Sequence, residues 1–516
     1  VPFSRNFSSL VASKMSYRFR PLIRHTRFYS TKTLVQLENA QVHRFGVKEP
    51  AFKNLSLTLD DSQRLVIVGP VSAGKTTLAE TIAGRHSIQP LSAGKWPIID
   101  ASVSPYASDH VHLVSFKENS GMFSYSNHYY QERFNFSDPD NDLTLQQYLN
   151  NDEKDIENIQ RVAKQLNIDH LLNLSFVKLS NGQTRRARIA KALLRNPSML
   201  VLDEPLMGLD VEHRQHLLEV LGNLATKSSV PVVLVLRPQD EFPSWATDVI
   251  ELGNMTIQWK GNPSEYQKRR TKQLESVKPA DKASAKTVDT SNNDPIVEMK
   301  NVKVTYSGNP ILRDITWTVR KGERWALLGP NGSGKTTLLS FLTGDHPQAY
   351  ANELSLFGRR RGTGESIWEI KERVGLVSPE IHLYFNQNLT ALEAAGTGFF
   401  DVVVPRSINE NQIHIIKRLF GEFGIESMLN RKLQDMSTGE QRMVLLVRSL
   451  VKMPDLIIWD EPFQGLDDKM IHNVNRWLEQ HMRPDQTLIM VTHHEEEIPN
   501  AVSKRFKLGP GGVQAN

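Results

Sequence analysis

The sequence predicts an α/β fold laid down twice in tandem, each copy a parallel sheet with a glycine-rich loop and a helical subdomain. Three observations carry this. Gly329-Pro-Asn-Gly-Ser-Gly334-Lys335-Thr336-Thr337 lies between Trp325-Ala-Leu-Leu328, which reads as a buried strand, and Leu338-Leu-Ser-Phe-Leu342, which reads as the first turns of a helix. A second loop of the same form, Gly69-Pro-Val-Ser-Ala-Gly74-Lys75-Thr76-Thr77, precedes it, with Lys75 and Lys335 standing 260 residues apart. Strand-like and helix-like runs alternate in both halves, as a parallel sheet requires.

Each element of the second copy has a chemical reading. Gly329, Gly332 and Gly334 let the backbone wrap a phosphate chain without Cβ clashes. The loop amides and the helix N-terminus then aim partial positive charge at the anion. Lys335 is placed to reach the β- and γ-phosphates and Thr336 to hold Mg²⁺, with Thr337 beside them an expected ATP-binding residue. Leu456-Ile-Ile-Trp-Asp460-Glu461-Pro462 is an apolar strand ending in two carboxylates. Paired acids at a buried strand end need a metal or hydrogen bonds. Asp460 fits Mg²⁺, and Glu461 fits a base that polarises water. Between the loop and these acids Ser437-Thr-Gly439-Glu-Gln441 opens a helical run through Leu450.

The first copy repeats this order. Gly69, Gly74, Lys75, Thr76 and Thr77 form its loop, Ser180-Asn-Gly182-Gln183 its second motif, and Asp203 and Glu204 its paired acids. Ser180 and Ser437 stand 257 residues apart, as do Asp203 and Asp460. A shared offset with a shared motif order marks a duplication. The expected domains are 30–260 and 295–516, joined by a linker at 261–294 that is poor in apolar residues. Its Lys268-Arg-Arg-Thr-Lys272 run reads as solvated.

With Gly465-Leu466-Asp467 and Val491-Thr492-His493 added, the five motifs resemble those of the ABC ATPase family. The resemblance implies two tandem P-loop ABC nucleotide-binding domains, ATP and Mg²⁺ as ligands, and ATP hydrolysis. It also implies that the segment opening with Ser437 or Ser180 in each copy caps the nucleotide on the other copy's P-loop. One site then joins Lys75, Thr76, Asp203 and Glu204 to Ser437 and Gly439. The other joins Lys335, Thr336, Asp460 and Glu461 to Ser180 and Gly182, with His493 as the switch that reports the γ-phosphate. Thr76 with Asp203 and Thr336 with Asp460 are the expected metal partners. Tyr306 sits where the family places an adenine-stacking aromatic, and in the first copy the counterpart falls at Arg44 or Phe45, with Phe45 the expected one.

The copies differ. Val491-Thr-His493 becomes Val235-Leu-Arg237-Pro238, and Ser72 stands where the second loop has Gly332. These changes imply fast hydrolysis at the second site and a first site that mainly holds ATP. Family transporters carry a Gln at the hinge that senses the membrane partner. Here the hinges read Val114-Ser-Phe116 and Val377-Ser-Pro379, with Glu118 and Glu380 nearby. The closer resemblance is to soluble tandem ABC ATPases of the bacterial ModF or photorepair type and their fungal mitochondrial relatives. That implies conformational work on an unknown protein partner. The ATPase subunit of a membrane transporter is a second reading, which the missing Gln weakens. A ribosome or nucleic-acid factor is a third, which the short linker weakens.

Composition sets limits. The hydrophobic content is 39% and the chain has no Cys, so disulfides, thiolate metal sites and iron–sulfur clusters are excluded. No apolar run approaches the ~20 residues needed to span a bilayer. Residues 1–29 carry Arg5, Lys14, Arg18, Arg20, Arg24 and Arg27, and the first acid is Glu38. This is the composition of a mitochondrial presequence, with Arg27-Phe-Tyr-Ser30 resembling a matrix-protease site. The expected location is the mitochondrial matrix. Without these six cations the +5 formal charge falls to near neutral, so nucleic acid is not expected as a partner. The aromatic stretch 121–136 lies between the first hinge and the first signature, where it reads either as a partner contact or as subdomain packing.

Overall fold

Two parallel sheets with one shared strand order organise the protein. The computed structural model describes residues 31–116, 143–150, 156–176, 179, 181–207, 209, 211–227, 230–277, 293–306, 309–330, 332–492, 497–509 and 512–515. Residues 1–29, expected as a presequence, the 121–136 stretch, Glu118, Ser180 and His493 lie outside these residues.

In the first copy the loop-bearing strand Leu65–Val68 sits between Asp248–Gly253 and Val232–Val235. Met199–Asp203 and Val111–Ser115 follow in parallel, and Thr256–Gly261 closes the other edge antiparallel. In the second copy Arg324–Leu328 holds the central place between Lys504–Leu508 and Thr487–Val491. Leu456–Asp460 and Val374–Val377 follow, and Gln514–Ala515 closes the far edge. The strands are buried on both faces, which is why they read as unbroken apolar runs rather than as alternating ones. Each copy adds a separate antiparallel sheet, built on Thr33–His43 and on Pro295–Tyr306.

The strand order places both acids and both loops at one end of each sheet. Asp203 pairs in register with Val235, and Asp460 with Val491. The helix Lys75–Ile82 begins at the first loop and Lys335–Leu342 at the second. Ligands of open α/β sheets bind at this carboxyl edge. The helical subdomain of the second copy packs Phe420, Phe423 and Met443 in one fully buried cluster with Trp459 of the Leu456–Asp460 strand.

The expected linker is not wholly a linker. Pro263–Val277 is a helix that opens that segment. Composition hid it because only one face is apolar: Tyr266 is buried and packs on Phe242 and Trp259. The basic run lies on this helix and is largely exposed, as expected of a solvated face, but Arg270 turns inward to Asp468 of the second copy at 3.7 Å. No helix among the described residues is long and apolar enough to cross a membrane.

Candidate active site

The two glycine-rich loops share one backbone. Gly69 and Gly329 hold φ of 156° and 153°, and Gly74 and Gly334 hold 96° and 91°. A Cβ on Gly334 would strike Leu312 at 2.7 Å, and one on Gly74 would strike the Met255 sulfur at 2.5 Å. Ser72 adopts φ 61° where Gly332 adopts 80°, so the serine bears a conformation the glycine holds freely.

Each loop lysine is folded over its own loop. Lys75 Nζ donates to the Gly69 and Pro70 carbonyls at 2.9 and 3.0 Å, and Lys335 Nζ to Gly329 and Pro330 at 2.8 and 2.9 Å. Lys75 also stands 4.0 Å from the Glu204 carboxylate. Thr76 Oγ1 donates to Asp203 Oδ2 at 2.9 Å. A hydroxyl beside a carboxylate at the head of a phosphate loop is the hard-oxygen pair that suits Mg²⁺. Ser333 Oγ, 1% exposed inside the second loop, has no hydrogen-bond partner among the described residues, which suits an anion there. The Thr76–Asp203 pair fits Mg²⁺ at the first loop, and the buried Ser333 hydroxyl with Lys335 fits an anion at the second. Thr337 follows Lys335 and Thr336 in the first turn of its helix, and Thr77 is buried in the equivalent turn.

Glu204 and Glu461 stand directly after the two strand-end aspartates. Both hold left-handed backbones, φ 55° and 50°, which cost on the order of 1–3 kcal/mol and persist only where the surroundings impose them. Burial, with Asp460 and Glu497 nearby, pushes the Glu461 carboxyl up to about 8, while Lys335 and Arg214 pull the other way. A carboxyl near the operating pH suits a general base.

The second copy's signature faces the first copy's loop. Ser437 caps the helix Thr438–Leu450 through a reciprocal pair with Glu440, which Arg431 holds at 2.7 Å. Ser437 Oγ lies 3.2 Å from Ser72 Oγ. Val71 N donates to Asp467 Oδ2 at 3.1 Å, while Asp467 Oδ1 caps the next helix through Met470 N at 2.8 Å. A Cβ on Gly439 would collide with the Gly465 carbonyl oxygen and press on both Val71 methyls at 3.1 Å. Lys75, Thr76, Asp203 and Glu204 are thus assembled on the loop that meets Ser437 and Gly439. Gly182 packs on His213 and Leu209 of its own copy. Its neighbour Ser180 and the switch His493 lie outside the described residues, as does the Tyr306 side chain at the end of its strand. Phe45, the expected stacking aromatic of the first copy, is fully exposed.

Arg237 is paired with Asp240 of its own loop. Its Nη2 bonds Asp240 Oδ1 at 2.7 Å, its Nε lies 3.1 and 3.3 Å from the two carboxylate oxygens, and its backbone N donates to Oδ2 at 2.9 Å. Burial alone would lower this guanidinium, but the adjacent Asp240 carboxylate leaves it above its ordinary value. Burial likewise raises Asp240, and Arg237 more than offsets that, so the acid ends below the usual range. The Arg237-to-Asp240 spacing of one helical turn was the only sequence signal for this pair. Nothing in sequence flagged Arg214, Gln239 or Glu497. Arg214 is 9% exposed, and its charge is felt at Glu461 and Glu497 of the other copy. Gln239 Nε2 donates to the Leu466 carbonyl, also of the other copy, at 2.9 Å.

Comparison with known proteins gives the same outline. The ABC transporter domain model matches twice, over residues 52–207 and 312–464. An ABC transporter ATP-binding protein of Schizosaccharomyces pombe is 36% identical over 472 residues, which is 90% of this chain and 95% of that protein. The ABC transporter ATP-binding protein ModF of Escherichia coli is 34% identical over 471 residues, 88% of this chain and 93% of that protein. Among solved structures, archaeal ABCE1 bound to the ribosome with Pelota matches with a TM-score of 0.59 at 20% identity. It covers 93% of this chain and 78% of that chain. That likeness speaks to the fold.

Proposed function

The chain belongs to the ABC transporter family as a tandem-domain ABC-type ATPase, and on that premise we propose that it is a soluble protein binding two ATP molecules between its copies. Hydrolysis then drives a switch between closed and open arrangements that acts on a protein partner. The domains of this reading are 30–260 and 295–516. The carrying observation is the contact of the first loop, through Val71 and Ser72, with Asp467 and Ser437 of the second copy. A phosphate chain on that loop meets a second anion cradle made of a helix N-terminus and a serine hydroxyl.

In this reading Lys335 and the loop amides hold the β- and γ-phosphates, and Glu461 aligns water and takes its proton. His493 reports the γ-phosphate, Tyr306 and Phe45 flank the adenines, and Ser180 with Gly182 caps the second site. Mg²⁺, held by Thr336 with Asp460 and by Thr76 with Asp203, supplies charge stabilisation on the transferred phosphate. The matched pinning of Arg237 by Asp240 favours slow hydrolysis at the first site. The Arg-rich, acid-free residues 1–29 favour the mitochondrial matrix as its location, which import of a fluorescent fusion of that segment tests.

The decisive experiment is ATP turnover by Lys335→Ala and Glu461→Gln. Each removes all but a few per cent of the rate in this reading, and retention of more than about half overturns the second site's assignment.

A further inference from the structure

We propose that Gln239 is a positioning residue for hydrolysis at the second site, acting from the first copy; this rests on the reading of Glu461 as that site's base. Arg237 and Asp240 tie the two ends of Arg237-Pro-Gln-Asp240 together through a carboxylate that meets the guanidinium on two nitrogens and the backbone amide on a third. Both residues are 6% exposed. Pro238 fixes a backbone dihedral between them. A guanidinium so held cannot swing to a phosphate without abandoning a buried carboxylate. The segment that would be a mobile phosphate sensor is instead a rigid bracket.

Gln239 stands within that bracket, and its side-chain amide donates to the Leu466 carbonyl at 2.9 Å. Leu466 ends the turn that begins at Glu461. Gln464 N donates to the Glu461 carbonyl at 3.2 Å, and Leu466 N to the Phe463 carbonyl at 3.1 Å. The front of this turn is held within the second copy, where Glu461 N donates to the Val491 carbonyl at 3.0 Å. The far end is held from the first copy twice, by Gln239 at Leu466 and by Val71 at Asp467. Glu461 sits in this turn with φ 50°, a conformation its surroundings must enforce. Arg214 of the first copy, buried and with no hydrogen-bond partner for Nε among the described residues, adds a cation whose field acts on the same carboxylate. The first copy therefore shapes the base of the second site as well as binding its own nucleotide.

The test uses the full chain in a Glu204→Gln background, so that turnover reports the second site. Gln239→Met keeps the length and removes the amide; Gln239→Ala removes both. The expected result is a fall in kcat of about 5- to 20-fold with KM for ATP within about twofold and an unfolding midpoint within about 2 °C. A kcat within twofold for both variants overturns the inference. So does a fall in kcat that tracks a midpoint loss beyond about 5 °C, which marks a structural residue. Glu461→Gln in the same background separates the failures. If it retains more than half the rate, the underlying site reading fails. If it is inactive while Gln239→Met is unaffected, the inference about Gln239 alone fails.

Discussion

Asp240→Ala should destabilise the first copy more than most single changes in the chain. The carboxylate meets Arg237 through Nε, Nη2 and the backbone amide, and both partners are buried. Truncating it strands an uncompensated guanidinium, which costs about 3–5 kcal/mol. In a domain of this size each kcal/mol moves the midpoint by roughly 2–4 °C, so the loss is about 6–20 °C. Replacing both partners with apolar residues of similar shape, Arg237→Met with Asp240→Leu, leaves no stranded charge and should recover most of that loss. The assay is thermal unfolding followed by circular dichroism at pH 7. An Asp240→Ala midpoint within 2 °C of the parent, or a double variant no more stable than the single, refutes the buried pair.

Three further outcomes follow from other parts of the structure. Glu204→Gln should slow ATP turnover less than Glu461→Gln does, because the first switch is pinned; equal losses in the two variants contradict this. Gly439→Ala should reduce turnover severalfold by pressing on Gly465 and Val71, at an overpacking cost of about 1–3 kcal/mol, and a parent-like rate contradicts the contact. Burial lowers His346 and His382 to about 4. The unfolded chain binds those protons from about pH 6.5 downward, so their contribution is full above 6.5 and is lost as pH falls towards 4. Each adds at most ~1.4 kcal/mol per pH unit to that slope. His382→Gln should flatten stability between pH 6.5 and 5, and an unchanged slope contradicts the shift.

The parallel sheets were legible because a strand buried on both faces is written as an unbroken apolar run, as in Met199–Asp203 and Leu456–Asp460. The loops were legible because only glycine holds φ near 91–96° at Gly334 and Gly74 without strain. The helix Pro263–Val277 was missed because a polar helix with one buried tyrosine has the composition of a linker. Arg237 stands in sequence as a departure from His493, but its partner is not readable there. Whether a guanidinium meets phosphate or carboxylate depends on Asp240 folding back within one turn. Gln239 and Arg214 were missed for a related reason. Their partners, Leu466, Glu461 and Glu497, belong to the other copy, and no local pattern records a contact more than two hundred residues away. The signature-to-loop pairing, by contrast, entered as an implication of the resemblance, and the Ser72–Ser437 contact gives it a distance.

That distance allows a direct test. The chain has no cysteine, so Ser72→Cys with Ser437→Cys introduces the only two thiols in the sequence. The serine oxygens lie 3.2 Å apart, close enough for a disulfide after small shifts. The measurement is oxidation of this variant with and without Mg–ATP, read as an altered electrophoretic mobility that reductant reverses. A composite site predicts an intramolecular crosslink that each single-cysteine variant lacks. Two free thiols under both conditions, in a protein that still unfolds cooperatively, would contradict the facing of the first loop by the second copy's signature.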